Sequence, residues 1–458
     1  MKEETIAAIA TPHGEGGISV LRVSGEDAFE IVNAAFQGRR KIRHTETMRV
    51  YHGYLVDGEE PVDEVLATTF RAPHSYTGEN VVEISCHGSP FIAQRILDVL
   101  IQKGARPSKP GEFTERAYLN GRMDLVQAEA VADLIQARTE SSRRVAMYQL
   151  EGRLSQRVEA MRQALINAVS LMELELDFGE EDVCFTSRKE LKSILEDMAV
   201  SMKALIASYD RGRVCREGVR MVIVGKPNVG KSSILNALLE KERAIVTEVP
   251  GTTRDTVEDV LDIEGVLFKI IDTAGIRSSQ DPIEKEGIRR SLDALEQADL
   301  VLLVLDGSTA LEDEDQQIIR KIAEKDKRVV VVLNKSDLER RLEQTGFADK
   351  INVEAALTIS AKKGKGIDEL IDKLKHLVLG GGLPNEGDVL LTRERHRSRF
   401  QQTVAAIEEA QSSLDQDMSQ EFVTMDLRKA LHLLGEIVGE TTADDILNNI
   451  FSRFCIGK

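Results

Sequence analysis

Basic excess is what this sequence most conspicuously lacks. Its 458 residues carry 60 Lys and Arg against 77 Asp and Glu, a formal net charge of −17. A protein that grips nucleic acid regardless of sequence needs a positive surface that displaces counterions, so that class is excluded for the chain as a whole. RNA contact would have to come from local clusters such as Arg138, Arg143 and Arg144, or Arg393, Arg395, Arg397 and Arg399. Such clusters are more simply read as solvated helix faces. Cysteine is also scarce. Cys86, Cys184, Cys215 and Cys455 are scattered without C-x-x-C spacing, which argues against a disulfide framework or a zinc site. No apolar run approaches the ~20 residues that span a bilayer. The start, M-K-E-E-T-I-A-A-I-A-T, lacks the apolar core of a secretory signal. A cytoplasmic protein with no membrane contact is expected.

What is present is a globular composition, 30% charged and 42% apolar, long enough for about three domains at ~150 residues each. The chain is organised around Val219 to Ser233, V-R-M-V-I-V-G-K-P-N-V-G-K-S-S. Its β-branched start reads as a buried parallel strand. The strand runs into G-x-x-x-x-G-K-S, Gly225 to Ser232, and then into a helical period carried by Ile234, Leu235, Leu238 and Leu239. Strand, glycine-rich loop and helix in that order wrap backbone N–H groups around phosphate at a helix N-terminus. Gly225 and Gly230 permit the tight path, Lys231 offers a cation to the β/γ-phosphates, and Ser232, followed by Ser233, offers a hydroxyl to Mg²⁺.

Four further strings follow in order. Pro250 to Asp255, P-G-T-T-R-D, suits a switch segment that reaches Mg²⁺ when the γ-phosphate is present. Asp272-Thr273-Ala274-Gly275 places Asp272 to hold the metal through water and Gly275 to give an N–H to the γ-phosphate. Asn334-Lys335-Ser336-Asp337 offers a carboxylate, Asp337, that can accept both N–H donors of guanine's base-pairing edge; adenine would leave it unpaired. Ser360-Ala361-Lys362 ends the last strand, where a backbone amide can meet the guanine oxygen. Any one string has a bland reading as turn chemistry. Together they specify a GTP-binding P-loop domain of the translation-factor-like class.

Two details separate it from a Ras-like switch. Ile276 follows Gly275, where a glutamine would orient water, so the catalytic group must come from elsewhere; Asp281, Glu284 and Glu286 are the nearest acids. Asn228, within the loop, could hold a monovalent cation against the phosphates or simply stabilise the loop.

Around this domain the chain divides into four segments. Residues 1–118 mix strands (Thr5–Ala10, Ile18–Val23, Arg49–Val56, Val65–Phe70, Val81–Cys86) with a helix from Pro90 to Lys103, an α+β pattern. Residues 119–215 turn helical, with Met147, Leu150, Leu154, Val158, Met161, Leu165, Ala168 and Met172 predicting one long amphipathic helix and a second over 187–209. Residues 216–379 alternate strand and helix, a mostly parallel doubly wound sheet with a hairpin at Glu264–Gly265. Residues 380–458 are helical again, and the nucleotide domain reads as an insertion into one split helical domain. The C-terminal C-I-G-K resembles a prenylation signal poorly, with Gly457 where an aliphatic residue belongs.

The sequence resembles the tRNA-modification GTPases of the MnmE (TrmE) family. The resemblance is carried by the terminal C-I-G-K (Cys455 to Lys458), by G-E-F-T-E-R-A-Y-L-N-G-R-M-D-L (Gly111 to Leu125), by A-T-P-H-G-E-G-G (Ala10 to Gly17) with L-R-V-S-G (Leu21 to Gly25), and by the GTPase strings with D-T-A-G. It implies an N-terminal α+β folate-binding and dimerising domain, a split helical domain and an inserted Ras-like P-loop GTPase domain. It further implies a homodimer that works with a flavoprotein partner, MnmG or GidA. Together they place an aminomethyl or carboxymethylaminomethyl group on C5 of the wobble uridine of tRNA. The one-carbon donor is a tetrahydrofolate derivative in the 5-formyl or methylene form, and GTP hydrolysis is stimulated by K⁺. Carried over by position, folate contacts fall on Arg22, Glu83, Arg122 and Lys458. Potassium contacts fall on Asn228, Thr247, Val249 and Thr252, and magnesium contacts on Ser232 and Thr253, with Asp272 through water. Glu284 becomes the water-orienting base beside Lys231, and Cys455 a candidate for the modification chemistry. Arg122 stands where a lysine is common, which keeps the charge but not the point-cation geometry. The rival readings are a GTP-switch RNA-binding or ribosome-assembly factor without folate chemistry, and a septin-like oligomerising GTPase.

Overall fold

The computed structural model describes residues 4–42, 47–177, 188–241, 243–244, 259–263, 265–271, 294–342, 351–380, 382, 385, 387–452 and 454–458. By internal contact the chain falls into two units. The first comprises Met1–Ala132, Gln149–Leu191 and Glu409–Lys458, the second Asp133–Tyr148 and Lys192–Glu408.

The first unit is built on a seven-stranded sheet of β1 (Ile6–Ile9), β2 (Ile18–Ser24), β3 (Phe36–Gly38), β4 (Arg49–Asp57), β5 (Glu60–Phe70), β6 (Val81–His87) and β7 (Arg106–Pro107). Their order is β3-β4-β5-β6-β2-β1-β7, antiparallel except where β7 runs parallel to β1. Pro107 ends a two-residue edge strand, the place in a sheet where a missing N–H does least harm. One sheet face is buried by helix Pro90–Gln102, which turns Ala93, Ile96, Val99 and Leu100 onto Leu21, Val23, Ile84 and Phe29. Strand alternation then sends Arg22 and Glu83 to the other face, directly paired across β2 and β6. Helices Arg153–Asp177 and Gln420–Val438 pack together in the same unit, tied at one end by Arg162 to Glu440.

The expected single helix through Met147 and Met172 is two. Glu140–Leu150 stops, Gly152 takes φ +79, and Arg153–Asp177 begins. The apolar spacing from Leu150 to Leu154 survives the break, which is why periodicity alone missed it. The glycine takes φ > 0, where another residue would be strained. The second helix also ends early, at Ala207, and a separate one runs Tyr209–Glu217.

The second unit carries β8 (Val219–Val224), β9 (Arg243–Ala244), β10 (Asp259–Ile263), β11 (Val266–Ile271), β12 (Leu300–Asp306), β13 (Arg328–Asn334) and β14 (Val353–Thr358). Their order is β14-β13-β12-β8-β11-β10-β9. The five strands from β14 to β11 are parallel, and β10 and β9 are added antiparallel. Runs such as Val329–Leu333 are buried on both faces, as a sheet covered by helices on both sides requires. The β10–β11 hairpin turns at Gly265 (φ +92), with Ile263 paired to Val266. Met221, Ile223, Phe268 and Leu302 face one core, and Val222, Val224, Leu303 and Leu305 the other.

Candidate nucleotide site and a second polar site

Parallel strands deliver their following loops to one edge of the sheet, and the sequence motifs sit on those loops. β8 ends at Val224 and helix Lys231–Lys241 begins seven positions later, leaving the six residues Gly225 to Gly230 as the loop between them. Gly225 adopts φ +156 and Gly230 φ +102, and Asn228 is a non-glycine residue at φ +62. A Cβ on Gly230 would collide with the side-chain amide of Asn334, so the close approach, as well as the dihedral, requires glycine. Lys231 folds back over the loop, donating to the carbonyls of Gly225 at 2.7 Å and Lys226 at 2.9 Å. Burial alone lowers its pKa. Ser232 is half-buried, and Ser233 and Asn228 are exposed.

Asn334, at the end of β13 and 4% exposed, is the joint of the site. Its Nδ2 donates to the Val229 carbonyl at 2.8 Å, and its Oδ1 accepts the Ala361 N–H at 3.0 Å. One side chain therefore binds the glycine-rich loop to the loop after β14. Ser360 donates to Asp337 Oδ1 at 2.6 Å, and that bond heads the causes that lower the Asp337 pKa. The Asp337 carboxylate is thereby oriented and favoured in its ionised form. Lys335, at φ +65, reaches Asp306 Oδ2 at 2.7 Å. Gly225, Asn228, Gly230, Lys231, Ser232, Ser233, Asn334, Lys335, Asp337, Ser360 and Ala361 thus lie in the connected loops, or in the strand and helix ends that adjoin them, of one sheet. Thr247, Val249, Thr252, Thr253, Asp272, Gly275 and Glu284 lie outside the described residues, as do Asp281, Glu286 and Ile276.

A second polar site forms in the first unit. Arg22 Nε donates to Glu83 Oε1 at 2.9 Å. The guanidinium carbon of Arg22 lies 4.8 Å from the Tyr76 ring centroid and 5.6 Å from that of Phe113, and Lys458 Nζ lies 5.9 Å from the same Tyr76 ring. Tyr76 is oriented by a 2.9 Å hydrogen bond to Thr114 Oγ1. Burial lowers the Lys458 pKa, the Arg22 charge pushes the same way, and Glu83 opposes both. The terminal lysine is delivered here by Gly457, at φ +94, which lies against the Ile9 carbonyl so closely that a Cβ would overlap it. Arg22, Glu83 and Lys458 converge. Arg122 is exposed and packs its stem near Gly78, two residues from Tyr76. Cys455 is exposed, and its carbonyl accepts the Lys458 N–H at 3.3 Å.

Two family models match this chain. The GTP-binding protein TrmE N-terminus matches residues 5–122, and the MnmE helical domain residues 125–455. The protein named tRNA modification GTPase MnmE in Natranaerobius thermophilus is 43% identical over 460 residues, covering all of both chains. That of Syntrophus aciditrophicus is 45% identical with the same full coverage. The chain belongs to the MnmE family. Among solved structures, Era of Aquifex aeolicus is 27% identical, covering 41% of this chain and 66% of its own, with a TM-score of 0.26. The fold is that of a multidomain MnmE-family GTPase, with an α+β N-terminal part, helical segments on either side of the nucleotide domain, and a P-loop sheet.

Sequence reasoning had no hold on several groups that this MnmE-family member brings to its sites. Tyr76 and Phe113 are two of only 19 Phe and Tyr residues, and their scarcity was the one available signal. Asp306, which ends β12 and holds Lys335, and the pair Glu312 and Asp315, which cap helix Asp313–Ala323 and hold Lys226, are acidic residues with no motif around them.

Proposed function

We propose that this protein is a K⁺-activated GTPase whose nucleotide cycle serves the modification of C5 of the wobble uridine in tRNA. It acts as a homodimer with an MnmG/GidA-type flavoprotein and a tetrahydrofolate derivative as one-carbon donor. That MnmE-family proteins are tRNA modification GTPases stands on the full-length relatives; the cation, the folate, the dimer and the partner are our reading. We keep the four segments 1–118, 119–215, 216–379 and 380–458 as its working domains.

The observation that carries the nucleotide part is Asn334 bonded to both the Gly225–Gly230 loop and the Ser360–Ala361 loop. This joint holds phosphate-type and base-type loops in one frame, with Asp337 aimed outward to read guanine. Lys231, parked on its own loop carbonyls, exchanges them for phosphate oxygens when nucleotide enters. Ser232 supplies a hydroxyl for Mg²⁺, and the exposed amide of Asn228 supplies an oxygen of the kind a monovalent cation takes; bound there, the cations would offset charge developing on the phosphates. Glu284 orients the attacking water.

The folate part is supported by one orphaned atom. Arg22 Nη1 is buried without a hydrogen-bond partner among the described residues. With Lys458 beside it and two aromatic rings adjoining, it fits a flat ligand carrying carbonyl and carboxylate oxygens. Tyr76 and the buried Phe113 would hold the Arg22 guanidinium in place, Glu83 would accept from the ligand's N–H groups, and Lys458 would attract its anionic end.

Turnover of the full-length protein tests the cation and the base together. GTP hydrolysis falls sharply when Na⁺ replaces K⁺, and Glu284→Ala loses hydrolysis while keeping GTP affinity. Equal rates in the two salts would remove Asn228 from the mechanism, and undiminished turnover in Glu284→Ala would move the base elsewhere.

A further inference from the structure

Lys226 stands inside the glycine-rich loop yet spends its charge outside it. Its ammonium lies 3.1 Å from Asp315 Oδ2 and 3.2 Å from Glu312 Oε2, with the side chain 11% exposed. Those carboxylates belong to the reciprocal cap of helix Asp313–Ala323, in which each side chain accepts a backbone N–H near the other. Asp315 Oδ2 takes the Glu312 N–H at 3.1 Å and Lys226 as well, and the residue is 3% exposed. The opposite end of Lys226 is also held, since its carbonyl accepts from Lys231 Nζ at 2.9 Å. One residue therefore links the phosphate-facing lysine, the loop backbone and the fixed start of a neighbouring helix.

A lysine in this loop could serve as a second cation for phosphate. Two carboxylates neutralise this one, so it adds no net attraction; what it adds is order. We propose that Lys226 is a positioning residue. Through Asp315 and Glu312 it clamps the opening of the loop to helix Asp313–Ala323 and holds the backbone amides and Lys231 in the shape that receives the phosphates. This rests on reading Gly225 to Ser232 as the phosphate loop. Preorganised amides bind without first being ordered, and ordering one residue's backbone is worth about tenfold in affinity. The clamp acts on β- and γ-phosphate binding alike, so it governs affinity for GDP and GTP together and leaves the bond-breaking step alone.

The test uses the full-length protein and the variants Lys226→Met, Lys226→Arg, Asp315→Asn and the double variant Lys226→Met/Asp315→Asn. Affinities for GDP and a non-hydrolysable GTP analogue are titrated, and KM and kcat are measured. Lys226→Met weakens both nucleotides about tenfold and raises KM in step, with kcat within about twofold. Lys226→Arg restores affinity, because a guanidinium can span both carboxylates. Asp315→Asn keeps the cap acceptor but loses the clamp's charge, so it weakens binding by a similar factor, and the double variant is no worse than either single one. Unchanged affinity in Lys226→Met, an equal fall in kcat, or additive losses in the double variant would each overturn the clamp. Should Lys226→Met fail to fold, Glu312→Gln replaces it: weaker binding of both nucleotides supports the clamp, and unchanged binding refutes it. Failure of the unaltered protein to bind GTP would refute the phosphate-loop reading instead.

Discussion

Replacing Asn334 by alanine removes the joint between the two nucleotide loops and nothing else of size. The side chain is 4% exposed, and its two hydrogen bonds, 2.8 Å to the Val229 carbonyl and 3.0 Å from the Ala361 N–H, both vanish. Each backbone group left buried without a partner costs about 1–3 kcal/mol, so the two sum to about 2–6 kcal/mol before relaxation. Water entering the vacated space recovers part of that, leaving about 3 kcal/mol against the assembled site, or roughly a hundredfold in affinity. Asn334→Asp sharpens the argument. It keeps an acceptor for Ala361 but turns a carboxylate oxygen toward the Val229 carbonyl, and so binds no better than the alanine variant. A fluorescent GTP analogue titrated into the full-length protein reads both. Affinity within about threefold of the unaltered protein for either variant would show that Asn334 does not join the two loops.

Gly457→Ala tests how the terminal lysine is delivered. The new Cβ would overlap the Ile9 carbonyl and come within 3.0 Å of the Ala10 Cα, at φ +94, where alanine costs about 1–2 kcal/mol on its own. The tail must leave its place beside Arg22, and binding of 5-formyltetrahydrofolate falls at least tenfold while GTP affinity holds; unchanged folate binding would detach Lys458 from the site. Thiol chemistry gives a second check. Burial pushes the Cys86 and Cys215 thiols up to about 11, whereas Cys455 is exposed. A raised thiol pKa withholds the reactive thiolate until the pH nears that value. Near neutral pH iodoacetamide therefore labels Cys455 and spares the other two, as peptide mass spectrometry reads directly; labelling of Cys215 at the Cys455 rate would contradict the burial described.

Most strands were legible because their residues declare their surroundings. Val219–Val224 reads as a buried parallel strand, and the structure makes it a neighbour of β12 in a parallel sheet. The loop strings stood out because phosphate and guanine recognition, the role we propose for them, constrains residue types over a few positions. Gly152 was not legible as a helix break, because the apolar spacing runs unbroken across it and only a positive φ marks the interruption. The strand β7 was hidden by Pro107, which argues against a strand unless it lies at an edge. Long-range partners were out of reach for a simpler reason. Nothing near Lys226 in sequence points to Asp315, 89 positions on, and nothing near Arg22 points to Tyr76 and Phe113. Such groups meet only once the sheet order is known.

In the function we propose, a GTPase cycle serves one-carbon chemistry at a site built on Arg22, Glu83 and Lys458. Titration of 5-formyltetrahydrofolate into the full-length protein and into Arg22→Ala tests it most directly, with perturbation followed in residues 1–125. Saturable binding in the unaltered protein, lost in Arg22→Ala while GTP binding persists, is the predicted result. Absence of binding in the unaltered protein would contradict the claim and leave a GTP switch without folate chemistry.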